Sequence, residues 1–242
     1  TRYWSVSWAR DVYKRQLKYH GGVSKEECTK ENVEALKVGI QNLLRHIENV
    51  KKYGVTPIVA INKFSNDTEK EIETLKQTLE GIVEVSLLEN WEKGGEGATD
   101  LANKLIKICE TENGFEYIYD INDTIEEKIK KVAQKIYGAT EVEYSDLAKE
   151  QLKELNNFKM PICVAKTQYS FSDDPKDLLG DKPFNLHVTE LKMKAGAEFV
   201  VVLTGKIMTM PGLPKKPAAE NINIDDNGCL LYTSPSPRDR SV

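Results

Sequence analysis

The chain has 242 residues, of which 40% are hydrophobic and 30% are charged, a balance typical of a soluble globular protein and not of a disordered one. Its net charge is −4, and because residues 1–16 and 229–242 carry +3 and +1, the body of the chain carries −8 and is expected to repel nucleic acid. No apolar run is long enough to cross a membrane, no secretory signal peptide begins the chain and no C-x-x-C pair marks a metal site, so we expect a cytoplasmic protein with no membrane partner and no bound metal.

The first part of the chain alternates between helical and strand patterns. Apolar residues at spacings of three and four predict a helix over 31–53. The run VTPIVAI (55–61) is typical of a strand covered on both faces, although Pro57 lacks a hydrogen-bond donor. The alternation continues with a helix opened by Asp67 or Thr68, a strand over 82–87, a loop over 90–97 and a helix near 99–111. This order predicts a parallel α/β sheet.

The second part of the chain has helices first and most of its strands after them. Asp123 is predicted to cap one helix and Ser145 to cap the next. Three strands are then expected, together with a long polar segment, here called the polar loop (166–183). The predicted strands cover 160–165, 184–193 and 198–204. We therefore expect an α/β domain over 17–112 and a smaller α+β domain over 113–228.

The ends of the chain and two of its cysteines complete the organisation. Residues 1–16 show no helical or strand period, and residues 229–242 break sharply from the sequence before them. Both ends look like translated adapter sequence, so we expect them to be non-native and leave them out of the fold prediction. Cys109 and Cys163 lie within apolar runs and are expected to be buried.

Two aromatic residues follow the two predicted strands of the α/β part. Ligands of an open parallel sheet bind beyond the carboxyl ends of its strands. Phe64 lies beyond the first strand, and Trp91 lies beyond the second, four residues after Leu87. Neighbouring strand ends would bring Phe64 and Trp91 together around a flat heteroaromatic ligand. The alternative is that both rings pack inward as ordinary core residues.

A stiff turn near the end of the chain is a second candidate. It is formed by Pro211, Gly212, Leu213 and Pro214, which leave the backbone little conformational freedom. Such a turn can form the wall of a pocket at low entropic cost. Simple packing of the turn on the body of the chain is an equally good interpretation.

The polar loop is a third candidate, because long ordered loops in compact domains are often functional. Its residues Lys166, Thr167 and Tyr169 could order polar groups of a substrate, although a solvated loop is the simpler interpretation. The chain contains no G-x-x-x-x-G-K-[ST] phosphate loop and no convincing nucleophile motif. We therefore assign no catalytic residue.

Five segments match blocks of one known family in the family's order. They are LKYHGGV (17–23), VAINKFSNDTEKEI (59–72), LLENWEKGGEG (87–97), AKTQYSFSDDP (165–175) and TGKIMTMPGLPKKPAAENI (204–222). On these segments, residues 17–228 resemble the formate–tetrahydrofolate ligases. The resemblance implies a fold like that of the P-loop NTPases, with the N-terminal phosphate-binding half missing, so the chain is expected to be a C-terminal fragment.

The resemblance also implies a reaction. Members of the family join formate to tetrahydrofolate with ATP and magnesium, by way of formyl phosphate, without a tightly bound cofactor and usually as homotetramers. It implies that Phe64 and Trp91 stack on the pteridine, that Leu87 lines that pocket and that the turn at 211–214 lies near the adenine. Because the phosphate-binding residues of the family lie upstream, we expect no ligase activity from this chain alone.

Two other functions stay open on the sequence. A GTPase-like nucleotide-binding module is one, because Asn62 and Lys63 end an apolar strand as in the guanine-reading Asn-Lys-x-Asp motif, although Ser65 stands where the motif has Asp. A non-catalytic interaction domain is the other.

Overall fold

The computed structural model describes residues 14–24, 26–64, 67–111, 114–167, 169–174, 176–205, 222–224 and 230–232. The described residues up to 205 belong to one compact unit. The short antiparallel strands β7 (Ile222–Ile224) and β8 (Leu230–Tyr232) belong to a second. Within the described ranges, no helix combines the length and the apolar character that crossing a membrane requires.

The first part of the chain forms a parallel β–α–β unit. Strands β1 (Ile58–Asn62) and β2 (Glu84–Leu88) pair in parallel, and helix α3 (Glu69–Leu79) connects them. Strand β1 begins directly after Pro57, which has no N–H to donate to a strand. Thr68 is the residue that caps α3, because its side chain accepts from the N–H of Glu71. The predicted parallel arrangement is confirmed for this pair of strands.

Two helices cover this unit. Helix α2 (Val33–Lys51) confirms the predicted helix, and Asn32 caps it by accepting from the N–H of Ala35. Helix α1 (Lys14–His20) is not predicted from the sequence. The two helices lie so close that a Cβ atom on Gly39 would be 1.8 Å from the carbonyl oxygen of Leu17. The core beneath them is aliphatic and consists of Leu17, Leu36, Ile40, Leu43, Ile47, Val59, Ile61, Leu75 and Leu79.

A buried ion pair joins α1 to α3. The Lys18 Nζ and Glu71 Oε1 atoms are 2.9 Å apart, and the two side chains are 3% and 1% exposed. Lys18 also donates to the carbonyl oxygen of Lys30, and Glu71 also accepts from the N–H of Asn32 at the start of α2. Three elements therefore meet at one charge pair, which neither the periodicity nor the spacing of the sequence indicated.

The segment after β2 is helical, so the prediction of a loop over 90–97 is wrong. Helix α4 (Asn90–Lys93) and a 3-10 turn (Gly94–Ala98) lead into helix α5 (Thr99–Glu110). The glycines are compatible with a 3-10 turn because their backbone tolerates tight conformations. Helix α5 has no buried residue, and Cys109 within it is exposed, against expectation.

The second part of the chain forms a mixed four-stranded sheet in the order β3-β5-β6-β4. Strands β3 and β5 are parallel, β4 and β6 are parallel, and β5 and β6 are antiparallel. The strands are β3 (Glu141–Tyr144), β4 (Ile162–Ala165), β5 (Asn185–Lys194) and β6 (Phe199–Thr204). Strand β3 was not predicted, because its alternating EVEY pattern is too short to stand out. Cys163 is exposed, since β4 is an edge strand and turns Ile162 and Val164 toward the core instead.

Two helices pack on this sheet. Helix α6 (Ile125–Val132), continued by a π-helical segment (Ala133–Tyr137), and helix α7 (Asp146–Leu155) bury apolar residues against it. Ser145 caps α7 as predicted. The predicted cap of α6 at Asp123 is wrong by one residue, because Thr124 forms a capping box with Glu127 and the Asp123 carboxylate pairs with Lys131 instead. The mixed α/β architecture is confirmed, whereas the division into domains at residue 112 stays a prediction.

Replacement of Glu71 by Ala should destabilise the fold. It would leave the Lys18 ammonium buried without its carboxylate, which costs about 3–5 kcal/mol. Urea unfolding measures the loss. The control is Asp146→Asn, which breaks the exposed Asp146–Lys149 pair at the start of α7 and should lower the unfolding midpoint far less. Equal effects of the two substitutions would contradict a structural role for the buried pair.

Candidate functional site

The parallel pairing of β1 and β2 brings two predicted site residues to one edge of the sheet. Asn62 pairs with Leu88 at the end of both strands, and the N–H of Lys63 donates to the carbonyl oxygen of Leu88 at 2.9 Å. Phe64 lies two residues beyond the end of the first strand, and Trp91 lies three residues beyond the end of the second. The expectation that these strand ends are neighbours is therefore confirmed.

The two aromatic residues have different surroundings. Phe64 is half-buried. Its N–H donates to the Asp67 carboxylate at 2.9 Å, and its carbonyl oxygen accepts from the N–H of Asp67 at 3.0 Å. Trp91 lies in α4 and is 85% exposed. An inward-packed Trp91 is therefore excluded, and its ring is available to a ligand.

Leu87 lies near the end of the second strand. It lies in β2 opposite Ile61 and is half-buried against the aliphatic core of the first part of the chain. Its side chain therefore belongs to the packing of the first part of the chain, and its place in a ligand pocket stays a prediction.

Charged residues lie at the same edge, and the sequence pattern singled out only Lys63 among them. The Glu89 carboxylate lies between two lysines, with Oε1 3.3 Å from the Nζ of Lys63 and Oε2 2.5 Å from the Nζ of Lys93. Lys63 also pairs with Glu69 at 3.2 Å. Hydrogen bonds from Lys93 and Lys63 lower the pKa of Glu89, and hydrogen bonds to Glu69 and Glu89 raise the pKa of Lys63. The spacing of four residues between Glu89 and Lys93 is typical of an ion pair on a helix. The pairing of Glu89 with Lys63 depends on the strand register and could not be predicted in that way.

The polar loop packs against α2. Lys166 donates to the carbonyl oxygens of Thr167 and Ser170 and lies 5.1 Å above the ring of Tyr137. Burial is the main reason that the pKa of Lys166 falls to about 8. The N–H of Tyr169 donates to the Thr167 hydroxyl, and the Tyr169 side chain is 42% exposed. These residues organise the loop itself, so their role in substrate binding stays a prediction.

Helix α2 holds the middle of the polar loop. Arg45 donates to the carbonyl oxygen of Gly180 at 2.8 Å, and its guanidinium carbon lies 4.3 Å from the centre of the Phe171 ring. His46 packs against the same ring. Burial, together with the nearby His20, Arg45 and Lys166, lowers the pKa of His46 to about 4, so this imidazole is neutral at physiological pH.

The mixed sheet also holds the loop, through His187 on the inner strand β5. Its Nδ1 atom is 2.6 Å from the Oδ2 atom of Asp173 in the loop, and its Nε2 atom is 3.1 Å from the Oε2 atom of Glu143 on β3. The hydrogen bond with Asp173 is the main reason that the pKa of His187 is raised, and Glu143 adds to the effect. An imidazolium can donate to both carboxylates, whereas a neutral imidazole has one N–H and can donate to one.

Another candidate from the sequence lies outside the residues that the structure describes. The turn of Pro211, Gly212, Leu213 and Pro214 lies outside the described residues, as do Ser65 and most of the two terminal segments. Across the ranges that the structure covers, His, Cys, Asp and Glu do not gather in groups of three that could hold a metal ion.

Residues 12–231 match the family model described as formate–tetrahydrofolate ligase. The formate–tetrahydrofolate ligases of Staphylococcus aureus strains JH9 and NCTC 8325 are each 49% identical to the chain over 218 residues. Those residues are 88% of this chain and 39% of each relative. The chain thus spans about 39% of the length of the curated relatives that it matches.

The stabilisation of the polar loop by His187 should depend on pH. Because the folded-state pKa is raised, the stabilisation is fully present below the unfolded pKa of about 6.5 and is lost as pH rises through the raised folded value. The melting temperature of the wild type should therefore exceed that of His187→Gln most at low pH, and the gap should narrow as pH rises.

The control for this pH series is His46→Gln. The pKa of His46 is lowered to about 4 in the fold, so the stability of the wild type relative to this variant should fall as pH drops through the unfolded pKa of about 6.5, a trend opposite in sign to that of His187. A pH-independent effect of His187→Gln would contradict the charge-dependent contact.

Proposed function

The chain belongs to the formate–tetrahydrofolate ligase family, and we propose that it forms the folate-binding part of an ATP-dependent ligase that joins formate to tetrahydrofolate to give 10-formyltetrahydrofolate. The parallel register of β1 and β2 carries this proposal, because it brings the segments of Phe64 and Trp91 to one edge of the sheet. The names of the relatives support the choice of substrates.

In this proposal the pteridine ring binds between Phe64 and Trp91, with Leu87 beneath it. A Trp side chain that is 85% exposed has a large apolar surface to bury against a ligand. Stacking on a fused ring adds to that burial, since aromatic pairs gain about 0.5–1.5 kcal/mol beyond their area. The charged residues Lys63, Glu89 and Lys93 leave the edge polar around this apolar surface.

The chemistry of phosphoryl transfer is assigned to residues other than these. ATP, bound with magnesium, would phosphorylate formate to formyl phosphate, and the N10 amine of tetrahydrofolate would then attack the formyl carbon and displace phosphate. Such a step needs positioned cations around the phosphates. The 242 residues contain no phosphate loop, so we propose that this group belongs to a P-loop NTPase-like N-terminal half and that this chain is a C-terminal fragment of the ligase.

Other features of the intact ligase follow from the resemblance to the family. We propose that the turn of Pro211, Gly212, Leu213 and Pro214 lies near the adenine of ATP, and that Lys166, Thr167 and Tyr169 order polar groups near the substrates. A homotetramer in the cytoplasm, with no tightly bound cofactor, is the proposed working form. The acidic body of the chain supports small-molecule substrates over nucleic acid.

The 242-residue chain alone should not form 10-formyltetrahydrofolate from ATP, formate and tetrahydrofolate. A chimera in which it replaces the matching 218 residues of the Staphylococcus aureus relative should do so. The reason is that the chimera regains groups that bind the phosphates. Absorbance of the acid-converted product measures turnover. Turnover by the chain alone, or an inactive but folded chimera, would contradict the proposal.

Replacement of Trp91 by Ala in that chimera should weaken tetrahydrofolate binding at least about tenfold, because stacking and apolar burial are lost together. The KM for ATP should not change. Isothermal titration calorimetry measures the affinity directly. Tyr117→Ala is the matched control, since Tyr117 is also strongly exposed, at 79%, but lies far along the chain from the strand ends. Unchanged folate affinity in Trp91→Ala would refute the assignment of the site.

A further inference from the structure

The helix that carries Trp91 is too short to fix its own orientation. Helix α4 has four residues, and isolated helices of this length are not stable in water. Its position must therefore be set by contacts with its surroundings. Because Trp91 is 85% exposed, its ring contributes little packing to that task.

Glu89 makes the main-chain contacts at both ends of this segment. Its carbonyl oxygen accepts from the N–H groups of Glu92 and Lys93, at 3.1 and 2.9 Å, and so begins the helix. Its own N–H donates to the carbonyl oxygen of Gly97 at 3.2 Å. Gly97 can approach because it has no side chain, since a Cβ atom there would lie 2.5 Å from the carbonyl carbon of Glu89.

The side chain of Glu89 joins the two aromatic segments. One carboxylate oxygen pairs with Lys63, which directly precedes Phe64, and the other pairs with Lys93 at the end of the Trp91 helix. The Glu89 and Lys63 side chains are 22% and 28% exposed and Lys93 is 51% exposed, so the Lys63 half of the bridge is the better shielded one. Among the described residues, Glu89 is the one acid that pairs with both lysines.

We propose that Glu89 is a positioning residue of the ligand site: its carboxylate, bound between Lys63 and Lys93, fixes the Trp91 helix relative to the segment that carries Phe64. The contribution of Glu89 to ligand binding rests on the proposed folate site. Its effect on the orientation of Trp91 does not depend on that site. Glu89 acts through Trp91 and makes no contact with the reacting atoms.

The first test measures the order of Trp91 itself. The chain has three tryptophans, so Trp4→Phe and Trp8→Phe leave Trp91 as the single emitter. Time-resolved fluorescence anisotropy should show a larger fast-decaying fraction in Glu89→Gln, and a smaller increase in Lys93→Gln, which breaks only half of the bridge. The matched control is Glu34→Gln, which breaks the exposed Glu34–Lys37 pair and should change nothing. Unchanged anisotropy in both site variants, with circular dichroism as in the wild type, would overturn the proposal.

The second test is a double-mutant cycle in the chimera with tetrahydrofolate as the probe. Glu89→Gln should raise the dissociation constant about fivefold, as expected for the loss of partly shielded ion pairs. In a Trp91→Ala background the same substitution should have no effect, because the residue through which it acts is gone. A full effect of Glu89→Gln without Trp91 would overturn the positioning role. If Trp91→Ala alone leaves affinity unchanged, the folate site is wrong, and the anisotropy result still decides the role of Glu89.

Discussion

The parallel register of β1 and β2 is the constraint on which the candidate site depends. Hydrogen bonds pair the strands from Ile58 with Glu84 to Asn62 with Leu88, and they bring two distant segments of the chain to one edge. A shift of one residue would turn every side chain on a strand to its opposite face. The aliphatic core prevents such a shift, because Val59 and Ile61 must face it. The site is therefore specified by the packing beneath it.

Charge pairs add to the stabilisation that apolar packing provides, and the burial of each pair determines how much it contributes. The Lys18–Glu71 pair is buried and joins three elements, so its loss would leave an uncompensated charge. The bridge from Glu89 to Lys63 and Lys93 is partly exposed and contributes local order more than global stability. His187 holds the polar loop through its contacts with Asp173 and Glu143, and the strength of these contacts depends on the protonation of the imidazole.

Much of the fold could be predicted because local signals and the final packing agree. The spacing of apolar residues was enough for α2, and Ser145 was enough for the start of α7. The failures have physical causes. The glycines after Trp91 suggested a loop, whereas carbonyl contacts of Glu89 turn the segment into a short helix. Asp123 was a plausible cap, but the Glu127 carboxylate completes a capping box with Thr124 instead.

The site was predictable only in part for the same reasons. Phe64 and Trp91 could be proposed from their place after predicted strands, since ligands bind at the carboxyl ends of parallel strands, and Leu87 was proposed from the resemblance to the family. The pairing of Lys63 with Glu89 could not, because it joins residues that only the strand register brings together. The proposal of tetrahydrofolate as the ligand came from the resemblance to the family. Neither the periodicity nor the composition of the sequence indicates a particular ligand.

The central claim is that the two segments act on one ligand, and intermolecular NMR contacts test it most directly. Folic acid carries an aromatic proton on its pterin, and this proton should show nuclear Overhauser contacts to the ring protons of both Phe64 and Trp91 in the chimera at saturating ligand. Contacts to both rings are the predicted result. Contacts to one ring only, or to neither while the ligand is bound, would contradict the account.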